Sequence, residues 1–218
     1  MKKKQGLLIV FEGIDGSGKT TQINLLARTL KEKNIDFEVI SFPQYGQNEY
    51  AKKIFDYLSG KFGNLKEVDP YEMAKLYAGD RKTLKEKIEK WLAEGKLVIA
   101  NRYVSSSKAH LAANLPEEKR ADFIKWIDQL EYNENNMPKE DLTILLNVNP
   151  QVTQKNVMRE HDIHEESLKH LQKTHDIFLE LAKQEKNWVV VDCMSNFQMK
   201  SPQEINKEIR DILYSQIF

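Results

Sequence analysis

The segment Gly13-Ile14-Asp15-Gly16-Ser17-Gly18-Lys19-Thr20 restricts the fold more than any other part of the chain. It matches G-x-x-x-x-G-K-[ST], a pattern that works only between an incoming strand and an outgoing helix. The apolar run Leu7 to Phe11 precedes it and a helical pattern rich in leucine and alanine follows. Glycines there let backbone N–H groups curl around an anion, and the helix N-terminus adds a partial positive charge. The segment therefore reads as a cradle for the phosphates of a nucleoside triphosphate such as ATP. Gly13, Asp15, Gly16, Ser17, Gly18, Lys19, Thr20 and Thr21 are its candidate binding residues. Lys19 is expected to reach the β- and γ-phosphates as a catalytic cation, and the Thr20 hydroxyl to ligate Mg2+.

Further apolar runs at Phe37 to Ser41, Leu97 to Ala100, Leu142 to Val148 and Trp188 to Asp192 alternate with helical patterns. Continuous apolar strands suit a parallel sheet covered on both faces, so the fold class is α/β, a three-layer α/β/α sandwich. Asp69-Pro70-Tyr71-Glu72 and Ser201-Pro202-Gln203-Glu204 each predict a helix start with a capping box. The first of these helices is expected to continue towards Trp91 and stop at Gly95. Asn114-Leu115-Pro116 separates two helical stretches, and Asn133 to Lys139 reads as a loop before the fourth strand.

At 218 residues the chain is expected to form one domain, 1–218. Lysine plus arginine (33) balance aspartate plus glutamate (33), so no overall field draws it to nucleic acid or an acidic membrane. Cys193 is the single cysteine and reads as a buried, inert thiol in a reducing compartment. Met1-Lys2-Lys3-Lys4 lacks a following apolar stretch long enough for a signal peptide, and nothing approaches a membrane span. A cytoplasmic location is expected.

The phosphate loop alone does not choose an acceptor. The extended motif from Phe11 to Gln22, then Phe42-Pro43-Gln44-Tyr45-Gly46, Tyr77-Ala78-Gly79-Asp80-Arg81 and Asn101-Arg102-Tyr103 follow the order and spacing of thymidylate kinases. The chain resembles that family over nearly its whole length. The resemblance implies a five-stranded parallel P-loop fold, usually homodimeric, that moves the γ-phosphoryl group of ATP to dTMP with Mg2+. By the same resemblance Asp15 approaches the sugar 3′-hydroxyl and substrate phosphate. Phe42 stacks on thymine with Tyr45 close by. Arg81 reads the thymine carbonyl edge beside Tyr77, Ser106 and Ser107 lie near the base, and Arg102 clamps the acceptor phosphate as a catalytic residue. Tyr77 and Arg81, four apart, share one helix face.

Several positions depart from the family pattern. Asn101 replaces an aspartate that helps hold hydrated magnesium, leaving Thr20, Asp15, Glu12 and Asn101 through water as oxygen donors. Gln44 replaces an arginine, and Lys108 is a candidate for the missing charge. His110 stands where a tyrosine often crowds the sugar 2′ position. With Gly16 after Asp15 the loop carries no arginine of its own, so a lid at about 155–166 is expected to supply charge over ATP. Lys155 and Arg159 are its candidates, Arg159 acting as a finger in cis. His161 and His164 have metal-ligand spacing but no third ligand. Two alternatives stay open: a related kinase using dUMP or a deoxynucleoside, and a degenerate nucleotide-binding regulatory module.

Overall fold

The computed structural model describes residues 5–61, 68–153, 168–196 and 198–216. The five apolar runs form one parallel sheet: β1 (Leu7–Glu12), β2 (Phe37–Ser41), β3 (Leu97–Asn101), β4 (Leu142–Asn147) and β5 (Trp188–Asp192), in the order β2-β3-β1-β4-β5. Phe11 and Ser41 both stand opposite Asn101, and Glu12 opposite Leu145, so the strands end together along one edge. Ligands bind outside that carboxyl edge in open α/β sheets.

Strand alternation divides the core between two layers. Leu8, Val10, Val98 and Ala100 pack towards α2 (Glu49–Leu58), α3 (Pro70–Lys82), α4 (Lys85–Ala93), α5 (Val104–Ala112), α6 (Glu117–Asp128) and, past the short α7 (Pro150–Thr153), α8 (Leu168–Gln184). Ile9, Phe11, Ile99 and Ile144 pack towards α1 (Lys19–Glu32) and α9 (Pro202–Gln216). A small antiparallel hairpin, β6 (Met194–Ser195) and β7 (Gln198–Met199), leads into α9. Cys193 is fully buried in the second layer, as expected, and burial pushes its thiol up to about 12.

Three local expectations change. The helix predicted from Asp69 to Trp91 is two helices. Thr83 Oγ1 donates to the Asp80 carbonyl at 2.7 Å and the Leu84 N–H bonds the Arg81 carbonyl at 3.0 Å, a three-residue spacing that turns the chain between α3 and α4. The end at Gly95 stands: φ is +86°, Gly95 N–H meets Leu92 O at 3.0 Å, and Lys96 N–H meets Trp91 O at 3.1 Å. The capping box forms in full at Ser201 and Glu204, which bond each other's backbone N–H. At Asp69 only half forms: its carboxylate accepts from Tyr71 N–H at 2.9 Å, while Glu72 pairs with Lys75. The loop expected from Asn133 starts later, because Gln129–Glu134 is a π-helical turn closed by Asn135 N–H on Leu130 O at 3.0 Å.

Candidate active site

The phosphate loop follows β1 as its sequence requires. Gly13, Gly16 and Gly18 have φ of +142°, +75° and +90°. A Cβ on Gly13 would lie 2.9 Å from both Leu146 O and Ser17 Oγ, so only glycine closes the curl. The Lys19 amine sits inside the curl, donating to Gly13 O and Ile14 O at 2.9 Å each and to Ser17 Oγ at 3.4 Å. A buried ammonium needs acceptors, and the loop carbonyls supply them. Thr20 and Thr21 are exposed on the first turn of α1. The α9 side braces this turn: Gln22 Nε2 bonds Pro202 O at 3.1 Å and Asn206 Nδ2 bonds Gln22 O at 3.2 Å.

Beside the loop lies an open cleft. Every residue named from sequence as acceptor-binding lines it: Asp15, Phe42, Tyr45, Tyr77, Arg81, Arg102, Ser106, Ser107 and His110. They arrive from the loop, the β2 exit, α3 and the β3–α5 junction, and Pro43, Leu58 and Leu111 add apolar wall. Asp15 belongs to both the phosphate loop and the cleft. Phe42 is buried, its ring tilted 51° against Tyr103 at 5.9 Å between centroids.

Arg102 leaves β3 with φ +65° and its N–H on Phe11 O at 3.0 Å, a left-handed backbone that turns the side chain into the cleft. Its guanidinium pairs with Asp15, donates to Ser106 Oγ at 3.1 Å and meets His110 Nε2 at 2.9 Å. Burial works against its charge, and the Asp15 and Glu12 carboxylates more than offset that, so its pKa is raised. Glu12 is fully buried and accepts from Tyr103 N–H at 2.9 Å, Ser106 N–H at 3.0 Å and Ser106 Oγ at 2.6 Å. Burial raises its carboxyl above the usual range despite Arg102 and those hydrogen bonds. Named from sequence as a metal donor, Glu12 instead turns both oxygens to the start of α5, because a buried carboxylate takes the nearest donors.

Behind Arg81 in the cleft wall lies Glu131, a residue the sequence reading missed. Arg81 is 1% exposed, and its Nε donates to Glu131 Oε1 at 2.9 Å, with Nη2 on the same oxygen. Nη2 also reaches Ser107 Oγ at 2.8 Å and Nη1 reaches Tyr103 O at 3.2 Å. Burial opposes the charge of Arg81, and Glu131 reverses the balance, raising its pKa. The available signal was an acid on an apolar stripe: Phe123, Ile127 and Glu131 are the buried residues at four-residue spacing.

Neither Gln44 nor Lys108, the candidate for the charge missing at Gln44, turns to the cleft. Gln44 turns to the end of α3, where its backbone N–H and Nε2 bond the buried Asp80 carboxylate and Nε2 bonds Thr83 Oγ1 at 2.9 Å. Lys108 faces the far side of α5, paired with Asp128 and 5.7 Å from the Tyr132 ring, because successive α5 positions point to different neighbours. It brings no charge to the acceptor cleft. Lys155, Arg159, His161 and His164 lie outside the described residues. Among the described residues no three His, Cys, Asp or Glu side chains form a metal cluster.

Magnesium can be tested against the residues present. Asn101 Nδ2 lies 3.3 Å from Thr20 Oγ1, and Asn101 Oδ1 is buried with no partner among the described residues. An orphaned carbonyl oxygen beside a threonine hydroxyl at the phosphate loop suits a hydrated hard cation.

A parallel sheet with this loop at the end of its central strand, and a second cleft sharing a loop carboxylate, defines a P-loop phosphotransferase with its own acceptor site. The chain belongs to the thymidylate kinase family, whose model, described as Thymidylate kinase, matches residues 11–205. It is 31% identical over 195 residues to the thymidylate kinase of Mycobacterium tuberculosis (strain ATCC 25618 / H37Rv), covering 85% of this chain and 91% of that one. It is 35% identical over 209 residues to the probable thymidylate kinase of Methanocaldococcus jannaschii, covering 93% of each. The thymidylate kinase structure from Candida albicans superposes with a TM-score of 0.81, covering 97% of this chain and 92% of that one; at 23% identity this shows the shared fold. No helix among the described residues is long and apolar enough to cross a membrane.

Proposed function

We propose that the chain transfers the γ-phosphoryl group of ATP to dTMP, giving ADP and dTDP. The observation that carries this reading is that one cleft, joined to the phosphate loop through Asp15, collects an aromatic wall, Arg81 and Arg102. Phe42 supplies a face for a pyrimidine, with Tyr45 and Tyr77 closing the sides. Arg102 presents a two-pronged donor to the acceptor phosphate, and Asp15 keeps that fork aimed across the gap. A phosphate oxygen of dTMP attacks the γ-phosphorus while the bond to the β–γ bridging oxygen breaks, and ADP leaves. The attacking oxygen is already anionic near neutral pH, so the protein needs to supply position and countercharge more than a base. Lys19 and the loop N–H groups hold the donor phosphates.

Mg2+ would be held by Thr20, with Asn101 Oδ1 accepting from a bound water, and it would neutralise charge on the β- and γ-oxygens. On sequence grounds alone the proposal adds Arg159, from a lid at about 155–166, as the finger in cis, and a homodimeric state.

The test is an ADP-release assay with dTMP, dUMP, dCMP, dGMP, AMP and thymidine, ranked by kcat/KM. The expected result is release that requires an acceptor and is fastest with dTMP. Another best acceptor overturns the assignment, and acceptor-independent release indicates a plain ATPase. The base methyl separates dTMP from dUMP by only ~1–3 kcal/mol, so that pair is the closest comparison.

A further inference from the structure

We propose that Glu131 is the positioning residue for base selection: it fixes Arg81 so that one N–H donor faces the acceptor base. The inference rests on the dTMP reading and extends it to a residue outside the cleft wall.

A guanidinium carries five N–H donors. In Arg81 the Nε hydrogen goes to Glu131 Oε1, the two Nη2 hydrogens to Glu131 Oε1 and Ser107 Oγ, and one Nη1 hydrogen to Tyr103 O. Among the described residues this leaves one Nη1–H, on a side chain that lines the cleft. A head with a single fixed donor donates to a keto oxygen on the base and opposes an amino group, where N–H would meet N–H.

Glu131 is what makes that donor fixed. It is 1% exposed and supplies the only carboxylate hydrogen-bonded to Arg81 among the described residues. Its backbone lies in the π-helical turn Gln129–Glu134, which continues directly from the end of α6. Below the turn Met137 N–H bonds Glu131 O at 2.9 Å, so the residue is anchored at backbone as well as side chain. Its second oxygen, Oε2, is buried without a partner among the described residues. A carboxylate that leaves one oxygen unsatisfied is poorly placed for stability alone, since buried polar atoms are normally paired. Its position is instead suited to gripping Arg81 from one side, with Ser107 and the Tyr103 carbonyl on the others.

The experiment compares the parent enzyme with Glu131→Gln for dTMP and dCMP, measuring kcat and KM for each alongside Tm. The variant keeps the shape and removes the charge, which frees the Arg81 fork to rotate. KM for dTMP is expected to rise on the order of tenfold with kcat within about twofold, and the dTMP-to-dCMP ratio of kcat/KM to fall on the order of tenfold. A merely structural role lowers Tm and leaves that ratio unchanged. If Glu131→Gln does not fold, Glu131→Asp, which keeps the charge but withdraws it by one methylene, is expected to lower the same ratio by a smaller factor. A folded variant of either kind with the parent ratio overturns the inference. A parent that does not prefer dTMP overturns the acceptor reading first, and this inference with it.

Discussion

The two halves of the site are built from different material. The phosphate loop is a single contiguous segment whose binding groups are mostly backbone N–H, held by glycines at positive φ. The acceptor cleft is assembled from side chains on separate elements, and its two arginines differ in setting: Arg81 is enclosed by Glu131, Ser107 and Tyr103, whereas Arg102 stands at the junction with the loop, facing Asp15. Backbone recognition of a phosphate needs no particular base or sugar. Side-chain recognition, drawn from several places, is where acceptor choice can be set. Damage to the first half should therefore stop all reactions alike, and damage to the second should change which acceptor reacts and how tightly.

Lys19→Ala tests the first half. The expected loss in kcat is on the order of 10³-fold with every acceptor, because a cation aimed at transferring phosphates is lost. The fold should survive, read as a cooperative thermal transition, since the amine mainly bonds loop carbonyls that water can satisfy. A variant with near-parental turnover removes Lys19 from the mechanism. Arg102→Ala tests the second half: kcat/KM for dTMP is expected to fall on the order of 10²-fold, while ATP affinity, measured by calorimetry without acceptor, stays within about threefold. An equal loss of ATP binding would erase the contrast between the halves.

Gly13→Ala and Gly46→Ala separate backbone geometry from loop composition. Both glycines have positive φ, +142° and +77°, but only Gly13 also has atoms at 2.9 Å from an added Cβ; Gly46 has nothing within 4 Å. Gly13→Ala is expected to lose about 2–4 kcal/mol of stability and the bulk of ATP binding. Gly46→Ala should lose about 1 kcal/mol, the cost of the left-handed conformation alone. Denaturant midpoints read both, and equal losses would show that the close contacts at Gly13 relax freely.

The same difference in material decides what was legible in the sequence. The loop could be read directly, because its pattern is local and its strand and helix flank it. The five strands could be read too, since burial on both faces leaves uninterrupted apolar runs. The cleft residues were legible only through resemblance: nothing in the spacing of Phe42, Arg81 and Arg102 says that they meet. Lys108 and Gln44 show the limit, since both lie close in sequence to cleft residues yet point to Asp128 and Asp80. Glu131 was missed because its partner is fifty positions away in the chain. The α3–α4 break was missed because one threonine hydroxyl turning back on Asp80 leaves the helical periodicity intact.

The smallest expected effect lies at the seam between the halves, at Asn101, where a side chain from β3 approaches the loop. Asn101 Oδ1 is buried and partnerless among the described residues, and Nδ2 stands 3.3 Å from the Thr20 hydroxyl. A neutral carbonyl can accept from a magnesium-bound water but adds no charge to the site. Asn101→Asp supplies that charge at nearly the same volume, so half-saturating Mg2+ should fall by a factor of about 3–10, as one more carboxylate strengthens a hard-cation site. The kcat at saturating Mg2+ should change less than the half-saturation value, because position and countercharge at Lys19 and Arg102 are untouched. An unchanged Mg2+ requirement would mean that Asn101 is a structural neighbour of Thr20 only, and the metal would then belong wholly to the loop side.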